Sequence, residues 1–328
     1  MRSPRNMFTI AAMLAALLAA ACGEDTVETT PSAPPESAVA ADEAGDAFPI
    51  GLANGGRQVR IEKRPTRIVS LSPTSTEMLF AVDAGDQVVA VDDQSNFPAG
   101  VPTTKLSGFT PNVEAIAAFE PDLVVASDDR EDVVNKLTQL AIPVLLTPAA
   151  VTLDDTYTQI EQVGLATGHL ADAAALVARM RSEIDALVAG LPKRDEAATY
   201  FHELGPDDLF TVSSKTFIGQ IYALAGLTNI ADSADDGSGY PKLTKEALIS
   251  ADPDFIFLAD TKCCQQTGAS VGARPGFDVL SAVRNGRVVG LDDDIASRWG
   301  PRVVDLLRVV TGSVAKFQAP QPAAVPVG

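Results

Sequence analysis

A segment pattern that occurs twice in the chain restricts the architectures it can adopt. The sequence reads EAIAAFEPDLVVAS from Glu114 and EALISADPDFIFLAD from Glu246, so each copy places Pro-Asp and an apolar run at the same distance from its Glu. An aromatic residue, Phe109 or Tyr240, lies just upstream of each copy. The pattern is typical of a helix–turn–strand unit. It indicates either a common local unit used twice or two similar lobes that face each other.

Short apolar runs alternate with helical segments around both copies. In the first region these runs start near Arg67, Val88, Leu123 and Val144. The first of them, at 67–71, is a short β-branched run, as a buried parallel strand should be. The spacing from Thr74 to Glu77 is that of a capping box at the start of the first helix. Because strands alternate with helices, we expect an α/β fold with mostly parallel sheets and helices on their faces.

A helical segment of different character separates the two α/β regions. Its apolar positions fall on one helical stripe, it is interrupted at Thr167-Gly168, and Pro192 ends it. The second region shows strand patterns near 198–202, 255–258 and 287–291 and a final helix from Arg302. The predicted organisation is a signal peptide at 1–21, a lipidated Cys with a disordered acidic tether at 22–56, an N-terminal lobe at 57–151, a linking helical segment at 152–192, a C-terminal lobe at 193–317 and a disordered tail at 318–328.

The N-terminus has the pattern of an export signal. Arg2 and Arg5 precede an apolar run that ends at Ala21 and is too short to span a bilayer. The sequence Leu-Ala-Ala-Ala-Cys ending at Cys22 resembles the bacterial lipobox, in which the Cys carries the lipid; an ordinary signal peptide with an incidental Cys is the alternative. We therefore expect an exported protein that is lipid-anchored to the cell envelope and faces away from the cytoplasm.

The charge of the chain excludes some classes of partner. The sequence has 43 acidic and 25 basic side chains, and no basic patch that would neutralise phosphates, so we expect no nucleic-acid partner. Residues 23–50 hold seven of the acidic side chains and no Lys or Arg. Much of the acidity therefore belongs to the expected tether. The lobes remain net negative as well, and a net-negative cleft between them would favour a neutral or weakly charged ligand.

The ordered motifs together resemble a known family. The segments RIVSLSPTSTEMLFAVDAGDQVVAVD, SNFP, KLSGFTPNVEAIAAFEPDLVVAS, YPKLTKEALISADPDFIFLAD, ARPGFDVLSAVRNGRVVGLDDD and ASRWGPR resemble, in order and spacing, the extracytoplasmic substrate-binding proteins for cobalamin and ferric siderophores. The resemblance implies a class III periplasmic-binding-protein-like fold, with two lobes joined by one long backbone helix. It also implies a monomer that captures a metal chelate and delivers it to an ABC permease with its ATPase subunits.

The resemblance assigns roles to particular residues. Glu114 and Glu246 match the glutamates that dock on arginines of the permease, although helix-capping electrostatics would also explain an acid in a first helical turn. The residues that match ligand-contacting positions are Phe109, Tyr240, Arg298, Gln94 and Phe210. For Phe210 and for Trp299, the only tryptophan in the sequence, a place in the core is as well supported as a place in the cleft.

Other functions are less well supported by the residues. A receptor for bare zinc or manganese needs several His and carboxylate ligands, whereas the chain has only His169 and His202. A haem receptor of the same fold has one well-placed axial candidate, Tyr240. No glycine-rich phosphate loop, Gly-x-Ser-x-Gly elbow or His-Glu-x-x-His motif is present, and the spacing of Ser313 and Lys316 is a chance match to a serine acylase without its partner motifs. We therefore expect no catalytic residues, no resident metal or cofactor, and a ligand that itself contains iron or cobalt. A secreted enzyme with an unrecognised site is the alternative from a different class.

Two adjacent cysteines, Cys263 and Cys264, follow the apolar run of the second repeat copy. The position matches Ser127-Asp128 after the first copy, which favours a loop that faces the cleft. A vicinal disulfide, a pair of free or metal-binding thiolates and an inert structural role all fit the sequence.

Overall fold

The computed structural model describes residues 48–316, and these begin with an antiparallel hairpin. Strands β1 (Ile50–Asn54) and β2 (Arg57–Ile61) pair across Gly55 and Gly56, which both have positive φ. Ile50 and Leu52 are buried. The predicted tether boundary at residue 56 is therefore wrong, because the alternating apolar positions of β1 join the core. Cys22, the signal peptide and the tail at 318–328 lie outside the described residues.

The first parallel sheet follows the hairpin and has five strands in the order β5-β4-β3-β6-β7. They are β3 (Ile68–Ser70), β4 (Val88–Asp92), β5 (Thr103–Leu106), β6 (Leu123–Ala126) and β7 (Val144–Leu146). The connecting helices are α1 (Pro73–Ala81), α2 (Val113–Ala117) and α3 (Val133–Gln139). All neighbouring strands are parallel, as the alternation of strands and helices predicts.

Two helices then connect the first sheet to the second. Helix α4 (Leu153–Thr167) begins with a capping box of Thr152 and Asp155, and it ends where Gly168 adopts a left-handed φ of 79°. Helix α5 (Leu170–Ala189) has 20 residues. A Cβ at Gly164 would clash with Ala173, so the glycine lets the two helices approach closely. The predicted break at Thr167-Gly168 is confirmed.

The second parallel sheet has four strands in the order β11-β10-β8-β9. They are β8 (Ala198–Glu203), β9 (Leu227–Asn229), β10 (Phe255–Leu258) and β11 (Val288–Gly290). The helices of this region are α6 (Phe217–Leu224), α7 (Lys245–Ala251), α8 (Gly268–Gly272), α9 (Ser281–Arg284), α10 (Asp293–Ser297) and α11 (Val303–Ala315). Within residues 48–316, no helix combines the length and the apolar character needed to cross a membrane.

One apolar core spans the two sheets. It includes Met78 of α1, Ile160 of α4, Ile184 of α5, Phe257 of β10 and Leu307 of α11. Each of these side chains is at most 5% exposed. The two sheets are therefore held by shared packing through the linking helices and α11, and not only by the covalent connection.

Helix α1 begins differently from the sequence prediction. Its N-cap is Ser72, whose hydroxyl accepts a hydrogen bond from the backbone N–H of Ser75, and Pro73 is the first helical residue. The predicted capping box of Thr74 and Glu77 is therefore wrong. The Glu77 side chain is instead buried against two arginines of the segment between α10 and α11.

Candidate ligand-binding cleft

A cavity of about 570 Å³ lies along the carboxyl edge of the first sheet. Every strand of that sheet contributes the residues that follow it, as expected for the ligand-binding edge of an open parallel sheet. The opposite wall comes from the segment that contains α10 and follows β11. The lining residues are Leu71, Ser72, Pro73, Thr74, Asp92, Gln94, Gly108, Phe109, Ser127, Asp128, Arg130, Pro148, Ala149, Asp294, Ser297, Arg298 and Trp299.

A buried network of hydroxyl groups supports the floor of the cavity. Thr76 Oγ1 bonds to Ser70 Oγ and Ser95 Oγ, each at 2.8 Å, and Ser95 Oγ donates to Asp92 Oδ1 at 2.5 Å. Burial raises the pKa of Asp92, partly offset by the bond from Ser95. Gly108 completes the floor, because a Cβ at this position would clash with the carbonyl oxygen of Leu71. The floor is thus a rigid, polar surface whose donors and acceptors are largely paired with one another.

Two aromatic residues form apolar wall surface. The Phe109 side chain is 64% exposed, and the Arg130 guanidinium lies 5.3 Å from its ring centre. Trp299 is half-buried, and its indole N–H donates to Gln159 Oε1 at 3.2 Å. The structure therefore places both side chains on the cavity, where they offer flat apolar surface to a ligand.

Arg298 lines the cavity, but its guanidinium is already occupied. Nη1 donates to Glu77 Oε1 at 2.7 Å and to Asn96 Oδ1 at 2.9 Å, and Nη2 donates to Asp294 Oδ1 at 2.7 Å. Arg302 holds the same Glu77 carboxylate through Nε at 2.9 Å and Nη2 at 2.5 Å. The Glu77 side chain is 1% exposed. This charge cluster of Glu77, Arg298 and Arg302 joins α1 to the opposite wall of the cleft.

The other charged groups of the lining are also internally paired. Arg130 Nε donates to Asp128 Oδ2 at 2.8 Å. Asp294 bonds to Arg298, to Asn96 and to Lys262. The lining thus holds three carboxylates, those of Asp92, Asp128 and Asp294, against two guanidinium groups that are each bound to a carboxylate. Gln94 also lines the cavity, and its side-chain amide donates to Asp93 Oδ1 at 3.3 Å.

Phe210 and Tyr240 lie on two paired segments of the second region. Thr211 N–H donates to the Pro241 carbonyl, and Phe210 pairs with Lys242 in an isolated antiparallel bridge. The two aromatic side chains are 43% and 51% exposed. The structure therefore brings them to one surface, but neither contributes to the lining of the cavity.

Glu114 and Glu246 occupy equivalent places in the two regions. Each is exposed and lies in the first turn of its helix, α2 or α7. The N-caps of these helices are Asn112 and Thr244, whose side chains accept from the backbone three residues on. Because other side chains cap both helices, the two carboxylates are available to a partner.

The two histidines lie outside the cavity lining. His202 is buried, its Nδ1 is 2.7 Å from the Tyr222 hydroxyl, and burial lowers its pKa to about 3. His169 forms a group with Asp83 and Asp172 whose ligand atoms lie within 4.8 Å of one another. However, Arg64 Nη2 contacts His169 Nε2 at 2.8 Å, so a cation would have to displace a guanidinium.

The loop that carries the two cysteines packs against the start of α10. Cys263 and Cys264 are joined as a vicinal disulfide and are exposed. The backbone N–H groups of Thr261, Lys262 and Cys263 all donate to the Asp293 carboxylate at 2.8 to 2.9 Å. The loop is thus attached to the helix that forms one wall of the cleft.

Comparison with known proteins identifies this architecture. The family model described as "Periplasmic binding protein" matches residues 68–295, which include both parallel sheets and most of the cleft lining. The chain belongs to this family. Membership places the protein outside the cytoplasm, and the predictions of a solute-binding protein and of an α/β fold with two parallel sheets are confirmed.

Named relatives of this periplasmic binding protein are binding proteins. It is 29% identical over 313 residues to an ABC transporter substrate-binding lipoprotein of Bacillus subtilis, covering 93% of this chain and 95% of the relative. It is 31% identical over 282 residues to a cobalamin-binding protein of Halobacterium salinarum, covering 83% and 75%.

Solved structures share the fold. A possible iron-binding solute-binding protein of Staphylococcus epidermidis superimposes with a TM-score of 0.68 at 26% identity, covering 77% of this chain and all of that one. A vitamin B12-binding protein of Vibrio cholerae gives a TM-score of 0.62 at 24% identity, covering 76% and 97%. The second likeness supports the fold alone.

Proposed function

We propose that this periplasmic binding protein is a lipid-anchored receptor that captures cobalamin in the cleft and delivers it to an ABC permease and its ATPase subunits. The observation that carries the ligand assignment is the charge state of the cavity. Its two guanidinium groups are paired with carboxylates, and its acids outnumber its bases. A large ligand without strong negative charge therefore fits the cleft, and the cobalamin-binding relative has this type of ligand.

Two other chelates fit the cleft less well. An anionic ferric siderophore would meet three carboxylates in the lining, and both guanidinium groups there already pair with a carboxylate. Its negative charge would therefore be desolvated beside acids that are only partly balanced by cations. Haem requires an axial ligand such as Tyr or His, and neither residue type occurs in the lining of the cavity. Tyr240 lies outside this lining, on the segment that pairs with that of Phe210.

A thermal-shift screen of the detergent-solubilised protein tests the ligand class. A ligand that binds only the folded state stabilises it by about 2.7 kcal/mol when its concentration is about 100 times Kd. We expect such a rise in Tm with cobalamin, and none with haem or with an anionic ferric siderophore at the same concentration. A larger rise in Tm with haem would indicate that the protein is instead a haem receptor of this fold.

The lipid anchor is tested at Cys22. Replacement of Cys22 by alanine removes the only sulfur that the lipobox pattern offers for acylation, so we expect the protein to move from the membrane fraction to the soluble extracytoplasmic fraction. A single myristoyl-sized chain holds a protein only marginally, whereas two or more chains hold it stably. Retention of the Cys22→Ala protein in the membrane fraction would contradict the anchor.

A further inference from the structure

A buried pair of carboxyl groups lies where two central strands of the second sheet end. Glu203 is the last residue of β8 and is in register with Leu258 of β10. Asp260 follows Ala259, whose backbone N–H donates to the Glu203 carbonyl. Both side chains are buried, and burial together with the charge of Glu203 raises the pKa of Asp260. Neither lines the cleft cavity, and the proposed binding of cobalamin does not use them.

Within the described part of the chain, Arg274 is the one cation that forms an ion pair with either carboxyl group. Arg274 binds Glu203 in a two-pronged ion pair, with Nη1–Oε2 and Nη2–Oε1 distances of 2.6 Å, and Nη2 also donates to Gln266 Oε1 at 2.8 Å. Both carboxyl oxygens of Asp260 are without a hydrogen-bond partner among residues 48–316. If both carboxyl groups are ionised, neither can donate a hydrogen bond to the other. If they hold one proton between them, the protonated group can donate to the ionised one.

The charged groups around Asp260 come from several elements. Glu203 of β8 and Arg274 after α8 are nearest, and Asp207, on the loop after β8, acts on Arg274. Across the loop, the ammonium of Lys262 is held by Asp292 and Asp294. Burial and the Glu203 carboxylate raise the pKa of Asp260 to about 7, and Arg274 only partly offsets them. His202, the neighbour of Glu203, is held neutral by burial.

Resting on the proposed function, we infer that Asp260 and Glu203 share one proton near neutral pH, and that losing it loosens the loop from Asp260 to Gln266 and weakens retention of the ligand. An ionised Asp260 leaves an unpaired buried charge, which is costly. The charge is relieved when Arg274 turns from Glu203 and Gln266 toward Asp260, or when the loop opens to water.

The contacts of this loop lead directly to the cleft. Cys264 N–H and Gln266 N–H donate to the Asp260 carbonyl, and the N–H groups of 261–263 bind Asp293 of α10. The next residue, Asp294, lines the cavity and bonds to Arg298. A displacement of the loop would therefore also displace the cleft wall, because α10 binds the loop and lines the cavity. The proton site acts as a pH sensor of the second lobe.

The test is a pH titration of the free protein followed by NMR. The Asp260 carboxyl carbon and the Cys263 and Cys264 amides are expected to titrate together, with one midpoint between about pH 6 and 8. In Asp260→Asn, which has the shape and charge of the protonated acid, the amides should keep their low-pH signals throughout. The matched control Asp195→Asn, at an exposed position before β8, should behave as the wild type.

The second readout is the rate of cobalamin dissociation. It should increase severalfold from pH 6 to pH 8.5 in the wild type and in Asp195→Asn, and stay constant in Asp260→Asn. An Asp260 that is already ionised at pH 6, or an Asp260→Asn protein that keeps the wild-type pH dependence, would overturn the proposal. A midpoint that moves with the concentration of Na⁺ or K⁺ at fixed ionic strength would show that a metal cation, and not a proton, is bound between the carboxyl groups. This result would contradict the proposal. Because the wild-type titration needs neither ligand nor variant, its result is independent of the assigned ligand and of the folding of Asp260→Asn.

Discussion

Glu77→Ala is expected to lower the free energy of unfolding by about 3–5 kcal/mol, the usual cost of removing one partner from a buried ion pair. Glu77 is the carboxylate that neutralises both Arg298 and Arg302 at the interface of α1 with the segment before α11. Without it, Arg302 is left as a largely buried cation, and Arg298 retains the carboxylate of Asp294 and its hydrogen bond to Asn96. Urea unfolding followed by Trp299 fluorescence measures the change, since Trp299 lies beside the cluster in sequence.

The matched control for Glu77 is an ion pair at the surface. Glu183 of α5 pairs with Arg308 of α11 at 2.8 Å, and its side chain is 52% exposed. Glu183→Ala should cost about 0–1 kcal/mol, because water replaces the lost partner. Equal destabilisation by the two substitutions would show that the cluster of Glu77, Arg298 and Arg302 contributes no more than a surface pair.

The double variant Glu114→Ala/Glu246→Ala is expected to reduce transport by at least about tenfold, which corresponds to the loss of roughly 1.4 kcal/mol in docking free energy. Each carboxylate is exposed in a first helical turn, and neither is needed to cap its helix. Both helices lie away from the cavity lining. Ligand affinity of the purified protein should therefore be unchanged.

The double variant is measured by ligand uptake in cells that depend on this receptor, with binding measured in parallel. The matched control is Glu161→Ala/Glu196→Ala, which removes two exposed carboxylates from α4 and from the loop before β8. Uptake should remain normal in this control, and each single variant of the docking pair should give an intermediate rate. Normal uptake by Glu114→Ala/Glu246→Ala would remove the docking assignment.

Local patterns in the sequence predict the elements of the fold well. The strands β4, β6 and β7 coincide with the apolar runs of the sequence, and the helix break lies at Gly168, which adopts the left-handed conformation. The hairpin has a signal too, since large apolar residues recur at every second position on both sides of Asn54-Gly55-Gly56, at Ile50, Leu52, Val59 and Ile61. The acidic residues that precede the hairpin, the last of them Asp46, have the composition of a tether and lie directly before β1, which conceals where the ordered chain begins.

The charge cluster of the cleft could not be predicted from local pattern. Glu77 lies 221 residues before Arg298 and 225 before Arg302. The spacing of Glu77 from Thr74 matches that of a capping box, but in the folded protein its carboxylate binds two arginines that are distant in sequence. The proton site has the same origin, because Glu203, Asp260 and Arg274 meet only when β8 and β10 pair.

The positions of the aromatic residues were predicted only in part. Phe109 follows a strand of the first sheet and lines the cavity, as the family resemblance implies. Phe210 and Tyr240 meet through pairing of two irregular segments, which no periodic pattern in the sequence reveals. Their roles toward a ligand remain predictions, as do those of Gln94 and Arg298.

The central claim, that cobalamin binds in the cleft, is tested most directly by calorimetric titration of the wild type and of Ala149→Trp. Ala149 is exposed and lines the cavity, so a large side chain there fills the binding volume without entering the core. The control Ala197→Trp adds the same side chain at an exposed position before β8. We predict one cobalamin per chain for the wild type and for Ala197→Trp, and an affinity weaker by about 100-fold or more for Ala149→Trp. Absence of cobalamin binding by the wild type, or equal affinity of Ala149→Trp, would contradict the account.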